Sequence, residues 1–134
     1  TIENYNKNDI INLLSQLTIC PNLDQETYNN IINNLSHNHN IFVVDYNNIP
    51  IGIGTIIIEQ KIIHNGKCVA HIEDIVVDKN YRNNKIGNIL LKFLINEAKQ
   101  SNCYKIILNC NDNTKNFYEK NNFKKSNYQM TMYL

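Results

Sequence analysis

Residues 71–87, His-Ile-Glu-Asp-Ile-Val-Val-Asp-Lys-Asn-Tyr-Arg-Asn-Asn-Lys-Ile-Gly, decide the fold of this chain. A short, mostly apolar strand at 72–77 runs into a polar turn that contains Arg82 and closes on Gly87. Apolar residues then recur at steps of three and four over 86–94, the spacing of one helix face. The first amides of a helix lack internal partners, so a strand, a polar loop and a helix start form an anion-binding site. On these residues alone, the stretch predicts that a phosphorylated ligand binds in the loop.

The spacing of Arg82 and Gly87 resembles the acetyl-CoA pyrophosphate loop of the GCN5-related N-acetyltransferases (GNAT), usually written (Q/R)-x-x-G-x-(G/A). Lys85 stands where the first Gly of that pattern is usual. The pair Glu73-Asp74 and the stretches 102–108 and 116–123 extend the resemblance. Together they are similar to the small members of the superfamily that acetylate glucosamine 6-phosphate, most densely from about residue 56 to 123.

The resemblance implies one GNAT domain over residues 1–134, of class α/β (α+β), with a central, mixed, mostly antiparallel twisted sheet flanked by helices. It implies that acetyl-CoA is the co-substrate, without a metal, and that the product is N-acetylglucosamine 6-phosphate for UDP-GlcNAc biosynthesis. The amine attacks the thioester directly, because a thioester is already activated and needs no covalent acyl-enzyme. The resemblance also implies a homodimer whose C-terminal strands cross between subunits.

The same resemblance implies a set of coenzyme-binding residues at the end of the strand, in the loop and further along the chain. Amides between Asn83 and Asn88 are expected to bind the pyrophosphate, and residues 75–77 to pair with the pantetheine arm as a pseudo-strand. The full set is Ile75, Val76, Val77, Arg82, Asn83, Asn84, Lys85, Ile86, Gly87, Asn88, Asn109, Asn111, Thr114 and Tyr118.

Tyr118 is the candidate that assists departure of the thiolate. The resemblance implies that its hydroxyl points at the coenzyme sulfur, whereas the alternative is core packing beside Phe117. Cys110 offers a different chemistry, that of a nucleophile. No His lies near it in sequence to raise its thiolate fraction, so a buried structural thiol is favoured for Cys110.

Glu73 and Asp74 are adjacent on a strand, so their side chains are expected to point to opposite faces and cannot form a paired acid–base device. The resemblance implies that the pair contacts the amino sugar. Glu73 is also a candidate base, directly or through water, with a backbone carbonyl of the neighbouring strand as the alternative. A solvated acidic pair at a strand end is the structural interpretation.

Recognition of a sugar phosphate needs cations and hydrogen-bond donors. Lys61, His64 and Lys105 lie at positions similar to the family's substrate-contacting residues, and Tyr104 and Thr18 could contribute hydroxyls. Each also has an ordinary structural interpretation, because a single Lys is usually a solvated surface group and a His before Asn-Gly can simply be part of a turn.

Two positions depart from the family pattern. Asn109 stands where an acidic residue is common and cannot serve as a base. The C-terminal residues 131–134 contain no Arg, although the family commonly places one there to reach the sugar phosphate in the partner subunit. Phosphate recognition must therefore differ or be weaker. Acetylation of another small amine or a polyamine, or a non-catalytic CoA-binding module, are the alternatives; intact Tyr118 and Glu73 argue against the module.

Composition excludes several other functions. A chain of 134 residues fits one domain, and a net charge of +1 with pI near 7.6 gives no electrostatic case for nucleic acid or a membrane surface. The apolar runs are too short to span a bilayer, and no charged and then apolar leader opens the chain, so we expect a cytoplasmic enzyme. The four cysteines lack metal-type spacing and are expected to be free, mostly buried thiols.

Periodicity predicts the order helix, helix, strand, strand, strand, helix, strand, helix, strand. Asp24 is expected to cap the second helix, Asn47-Asn48 and Asn65-Gly66 to form hairpin turns, and Gly52 and Gly54 to mark a bulge or a close backbone approach. The predicted helices are 10–17, the one that follows Asp24, 86–100 and about 114–121, and the predicted strands are 41–46, 51–59, 68–77, 104–110 and about 128–134.

Overall fold

The computed structural model describes residues 1–134 and contains four strands and four α-helices in nearly the predicted order. Their bounds are α1 Lys7–Leu14, α2 Gln25–Asn33, β1 His39–Tyr46, β2 Ile49–Gln60, β3 Cys68–Val77, α3 Ile86–Gln100, β4 Cys103–Leu108 and α4 Asp112–Glu119. Single turns of 3₁₀-helix lie at Ile2–Asn4, His64–Gly66 and Lys79–Tyr81. No helix combines the length and apolarity that crossing a membrane would require.

The strands form one sheet in the order β1-β2-β3-β4. β1 and β2, and β2 and β3, pair antiparallel, whereas β3 and β4 pair parallel. The sheet is therefore mixed and mostly antiparallel, as predicted. Parallel neighbours need a crossover connection, and α3 provides it.

Local signals in the sequence explain where two elements begin and turn. The Asp24 carboxylate accepts a hydrogen bond from the Thr27 amide at 2.8 Å and caps α2. Asn47 and Asn48 both have positive φ angles, 52° and 63°, which a tight turn between antiparallel strands requires and which Asn tolerates better than most residues. Both predictions are confirmed.

Helices cover both faces of the sheet. On one face, Leu90 and Leu94 of α3 pack in a fully buried cluster with Ile56 and Ile72. On the other face, apolar residues from the start of the chain, α1 and α2 pack around Ile53 of β2 and form the second cluster, whose buried members are Ile2, Ile10, Leu13, Tyr28, Ile53 and Val76. The result is the predicted layer fold with a central sheet.

A β-bulge interrupts β3 opposite Gly54. Ile53 pairs with Val76 and Thr55 pairs with Glu73, so Asp74 and Ile75 both lie opposite Gly54. A Cβ at Gly54 would stand 3.0 Å from Leu94 Cδ1, which explains why Gly permits the close approach of α3. Asp74 has φ 52°. The bulge adds a residue to β3 directly after Glu73, so the expected orientation of Glu73 and Asp74 toward opposite faces stays a prediction.

The strand predicted near 128–134 is absent. Residues 124–134 make no backbone–backbone hydrogen bond within the chain, and Tyr128 and Tyr133 are 89% and 94% exposed. Alternating side chains suit a strand, but a strand also needs a partner for its N–H and C=O groups. No element of the same chain provides that partner.

Candidate active site

The sheet opens between β3 and β4. Their parallel pairing ends at Ile72 and Leu108, whereas β3 continues to Val77 with β2 as its only partner. The backbone groups of residues 73–77 that face the β4 side therefore have no strand partner. An extended ligand with amide groups can add to such an edge as a further strand. Ile75, Val76 and Val77 lie on this unpaired edge, where the pantetheine arm was predicted to bind. Binding of pantetheine there stays a prediction.

A tightly held turn follows the open edge. Asp78 Oδ1 accepts a hydrogen bond from the Asn80 amide at 2.8 Å, and Arg82 Nε donates to the Val77 carbonyl oxygen at 3.1 Å. Positive φ angles follow at Asn83, 71°, and at Lys85, 61°. When right-handed and left-handed backbone conformations alternate, neighbouring N–H groups point into one concave surface, which suits an anion.

Lys85 is the N-cap of α3 and lies in the left-handed region, with φ 61° and ψ 10°. This conformation explains why Gly is usual at this place in the resembling pattern, since it costs a residue with a Cβ about 1–2 kcal/mol. The Lys85 ammonium makes no ion pair or hydrogen bond, and the first turn of α3 has no acidic residue. The helix N-terminus is thus electrostatically open to an anion.

Gly87 lies in the first turn of α3 and faces α4. A Cβ at Gly87 would lie 3.5 Å from Phe117 Cζ and 3.7 Å from Val77 Cγ2, which is ordinary van der Waals contact. Nearby, Asn121 Nδ2 donates to Asn88 Oδ1 at 3.0 Å and to the Phe117 carbonyl oxygen at 2.8 Å. Asn121 therefore joins α3 to α4, a link that no sequence pattern indicated.

Tyr118 is half-buried between two aromatic rings. Its ring makes edge contacts with Phe117 and Phe123, at centroid distances of 5.0 Å and 5.9 Å, and its hydroxyl makes no hydrogen bond within the chain. Burial, followed by the negative charges of Cys110 and Glu73, raises the pKa of Tyr118 above its usual value near 10. The phenol is therefore a neutral proton donor at neutral pH.

A cavity of about 370 Å³ adjoins Tyr118. The end of β4, α4 and the C-terminal segment line it, and it contains Asn109, Cys110 and Asn111. The expectation that Cys110 is a buried structural thiol was wrong: it is exposed at the end of β4. All four cysteines are free, as expected, but the other three are only partly buried.

Asn111 and Thr114 fix the start of α4. Asn111 Oδ1 accepts from the amides of Asn113 and Thr114 at 3.0 Å and 3.2 Å, while Thr114 Oγ1 accepts from the Asn111 amide at 3.3 Å. Both side chains thus have a capping role that the structure makes visible, and their predicted contact with the coenzyme stays a prediction.

Three of the candidate phosphate-binding residues lie together. His64 stacks on Tyr104, with ring centroids 4.1 Å apart, and Lys105 Nζ lies 5.6 Å from the Tyr104 ring centroid. Lys61 is held elsewhere by an ion pair with Glu59.

The Glu59 carboxylate also contacts His71 Nε2 at 2.8 Å. The hydrogen bond from Lys61, and then that from His71, lowers the pKa of Glu59. The Lys61 charge is therefore partly neutralised within the chain. Thr18 is exposed after α1, and its side chain makes no hydrogen bond.

Comparison with known proteins agrees with this geometry. The model of the acetyltransferase (GNAT) family matches residues 8–123. The glucosamine 6-phosphate N-acetyltransferase of Arabidopsis thaliana is 33% identical over 128 residues, 92% of this chain and 86% of that protein. The enzyme of the same name from Candida albicans is 31% identical over 127 residues, 92% and 85% of the two chains.

The crystal structure of the Arabidopsis thaliana enzyme superposes with a TM-score of 0.88 at 31% identity, covering 96% of this chain and 93% of that one. Sequence and fold thus agree over nearly the whole chain. The chain belongs to the acetyltransferase (GNAT) family.

Proposed function

We propose that this chain transfers the acetyl group of acetyl-CoA to the amine of glucosamine 6-phosphate, giving N-acetylglucosamine 6-phosphate, a precursor of UDP-GlcNAc. The observation that carries the proposal is its similarity to enzymes named for this reaction, at 33% and 31% identity over 92% of the chain. The open edge of β3 beside an anion-binding loop supports acetyl-CoA as the donor.

The reaction needs one bond to form and one to break. The amine nitrogen attacks the thioester carbonyl, a C–N bond forms, the C–S bond breaks, and the thiolate of CoA leaves. Tyr118 donates its phenolic proton to the sulfur, and its hydroxyl, which makes no hydrogen bond within the chain, is free to do so. The amine proton passes to Glu73, directly or through water. Holding the two reactants together contributes up to about 7–11 kcal/mol to such a reaction.

We infer that amides on the free edge of β3 bind the developing oxyanion, a contribution of about 3 kcal/mol per donor. These amides belong to β3, which pairs with β2 along its other edge, so they need to move little when the oxyanion forms. Asp74, at the bulge, is exposed beside Glu73 and is our candidate for contact with sugar hydroxyls.

We assign the sugar phosphate to the cluster of His64, Tyr104 and Lys105. The stack of His64 on Tyr104 orders the imidazole, and Lys105 adds a positive charge beside the ring. A lysine is a mobile point charge, whereas arginine would offer a bidentate fork. The cluster therefore supplies weaker, more salt-sensitive phosphate binding than the C-terminal Arg that is common in the family.

We further infer a homodimer through the C-terminal segment. Residues 124–134 have unpaired backbone groups and an alternating sequence whose large side chains are exposed, so a second copy could supply the missing strand partner. The four free cysteines suit a reducing compartment such as the cytoplasm.

A second candidate is acetylation of another small amine or a polyamine, which the lack of an Arg among residues 131–134 favours. Release of free CoA thiol from acetyl-CoA separates the two when glucosamine 6-phosphate, glucosamine and spermidine are compared side by side. The proposal expects the highest kcat/KM with glucosamine 6-phosphate. Equal values for the two sugars, or a preference for spermidine, would remove the substrate assignment and leave the acetyltransferase.

A further inference from the structure

Gln16 joins the segment after α1 to the end of β3. Its Nε2 donates a hydrogen bond to Asp78 Oδ2 at 2.9 Å, and its Oε1 accepts one from the Lys79 amide at 2.9 Å. The side-chain amide of Gln16 thus makes one hydrogen bond through its nitrogen and one through its oxygen. Its two partners are consecutive residues more than sixty positions away in sequence. No motif in the sequence indicated this contact.

The partners of Gln16 stand at the entrance to the coenzyme loop. Asp78 is the first residue after β3; its amide donates to the Ile51 carbonyl oxygen at 2.8 Å and its carboxylate caps the turn Lys79–Tyr81. The hydrogen bond from Gln16, and then the one from the Asn80 amide, lowers the pKa of Asp78. The contact is therefore charge-assisted and stronger than one between neutral groups.

The segment that Gln16 holds has few polar attachments, although Leu23 packs against the second core cluster. Residues 19–24 donate no backbone hydrogen bond within the chain, and Ile19 is 91% exposed. Besides Gln16, the long-range polar contacts of this segment come from Lys7, whose Nζ donates to Asn22 Oδ1 at 2.8 Å and to the Leu23 carbonyl oxygen at 2.6 Å. Thr18, a candidate acceptor-binding residue, lies two positions after Gln16.

We infer that Gln16 is a positioning residue that fixes the segment 15–24 against the coenzyme loop, so that occupation of the loop and binding of the acceptor favour each other. The inference rests on the proposed function for the identity of the two ligands. A segment with so few long-range polar contacts can order when a ligand binds, and a contact shared with the loop transmits that ordering.

The test is calorimetric binding of CoA with and without saturating glucosamine 6-phosphate, a pair that forms a complex but cannot react. In the wild type we expect the sugar phosphate to tighten CoA by about 5-fold or more, the usual range for coupled sites. Gln16→Met keeps the volume and removes both hydrogen bonds. In this variant, glucosamine 6-phosphate should change the Kd of CoA by less than about 2-fold. The Kd of CoA alone should differ from the wild-type value by less than about 3-fold.

Kinetics provide a second readout. Gln16→Met should raise the KM for glucosamine 6-phosphate by about 5-fold or more and change kcat by less than about 3-fold. Gln16→Glu keeps the acceptor for the Lys79 amide but sets a carboxylate against Asp78, so it should lose coupling as well. The matched control is Gln25→Met, which removes an exposed hydrogen bond of 2.9 Å to Asn29 within α2 and should leave every value unchanged.

Wild-type coupling in a folded Gln16→Met protein would overturn the inference, as would a wild type without coupling. Failure of the proposed function looks different, because glucosamine 6-phosphate then supports no thiol release. Coupling would in that case be measured with whichever amine of the panel does support it, using the same variants and the same criteria.

Discussion

Lys85→Gly is expected to make the protein more stable while it weakens acetyl-CoA binding. Lys85 is held at φ 61° and ψ 10°, a conformation that costs a residue with a Cβ about 1–2 kcal/mol and costs Gly almost nothing. Against this gain stands the greater freedom of Gly in the unfolded chain, about 0.4–1 kcal/mol. The difference is a net gain of about 0.5–1 kcal/mol in the free energy of unfolding.

Urea denaturation followed by circular dichroism measures this gain. For a denaturant slope of about 2 kcal/mol per M, the midpoint should rise by about 0.3–0.5 M. Lys85→Ala is the matched control, because it removes the same charge and keeps the Cβ, so its midpoint should stay near that of the wild type. Both variants lose the ammonium at the N-terminus of α3 and should bind acetyl-CoA more weakly by a similar factor.

The result that would refute this reasoning is a Lys85→Gly midpoint at or below that of Lys85→Ala, since the two differ only in the Cβ. Unchanged acetyl-CoA affinity in both variants would leave the backbone argument intact and remove the charge of Lys85 from coenzyme binding.

Four further expectations concern the site. Tyr118→Phe should lower turnover by about 10²–10⁴-fold with little change in coenzyme affinity, and a near-normal rate where chemistry limits turnover would reduce Tyr118 to packing. Gly87→Val should displace Phe117 and weaken acetyl-CoA binding in calorimetry, whereas Gly87→Ala should not, because a Cβ there lies 3.5 Å from the ring. Lys105→Ala should raise the KM for glucosamine 6-phosphate but not for glucosamine, and added salt should make this difference smaller. An equal rise in KM for both sugars would show that Lys105 does not bind the phosphate. Deletion of residues 128–134 should give a monomer by light scattering, and a dimer of unchanged affinity would contradict the inferred interface.

Periodicity and turn chemistry predicted most of the fold. β3 and α3 have the predicted bounds, because the apolar spacing changes from strand to helix on either side of a polar turn and no other pairing competes. Gly54 was predicted to mark a bulge or close approach, and it does both. The prediction of a strand near 128–134 was wrong for a physical reason. Alternating side chains indicate that a segment suits a strand, but a strand forms only with a hydrogen-bonding partner, and no other segment of this chain pairs with these residues.

The site was only partly predictable for the same reason. The coenzyme loop is a local feature, so its spacing is visible in sequence. The pairing of Lys61 with Glu59, the exposure of Cys110 and the bridges made by Gln16 and Asn121 depend on which elements meet in space. Gln16 and its partners are separated by more than sixty positions, and nothing in the local sequence of either segment marks the contact.

The proposed reaction needs an acceptor for the amine proton, and Asn109 stands where an acidic residue is common in the family pattern. An amide cannot accept the amine proton, so in the proposed reaction another group must do so. The carboxylate of Glu73 is our candidate, with a backbone carbonyl of the neighbouring strand as the alternative. Burial, and then the charges of Cys110 and Glu73, raises the pKa of Tyr118, so the phenol is protonated before the thiolate leaves. One turnover then moves a proton from the amine to Glu73 and another from Tyr118 to sulfur. In this proposal the site returns to its starting state when Glu73, directly or through water, gives its proton back to the phenolate, so that one carboxylate takes part in both proton transfers.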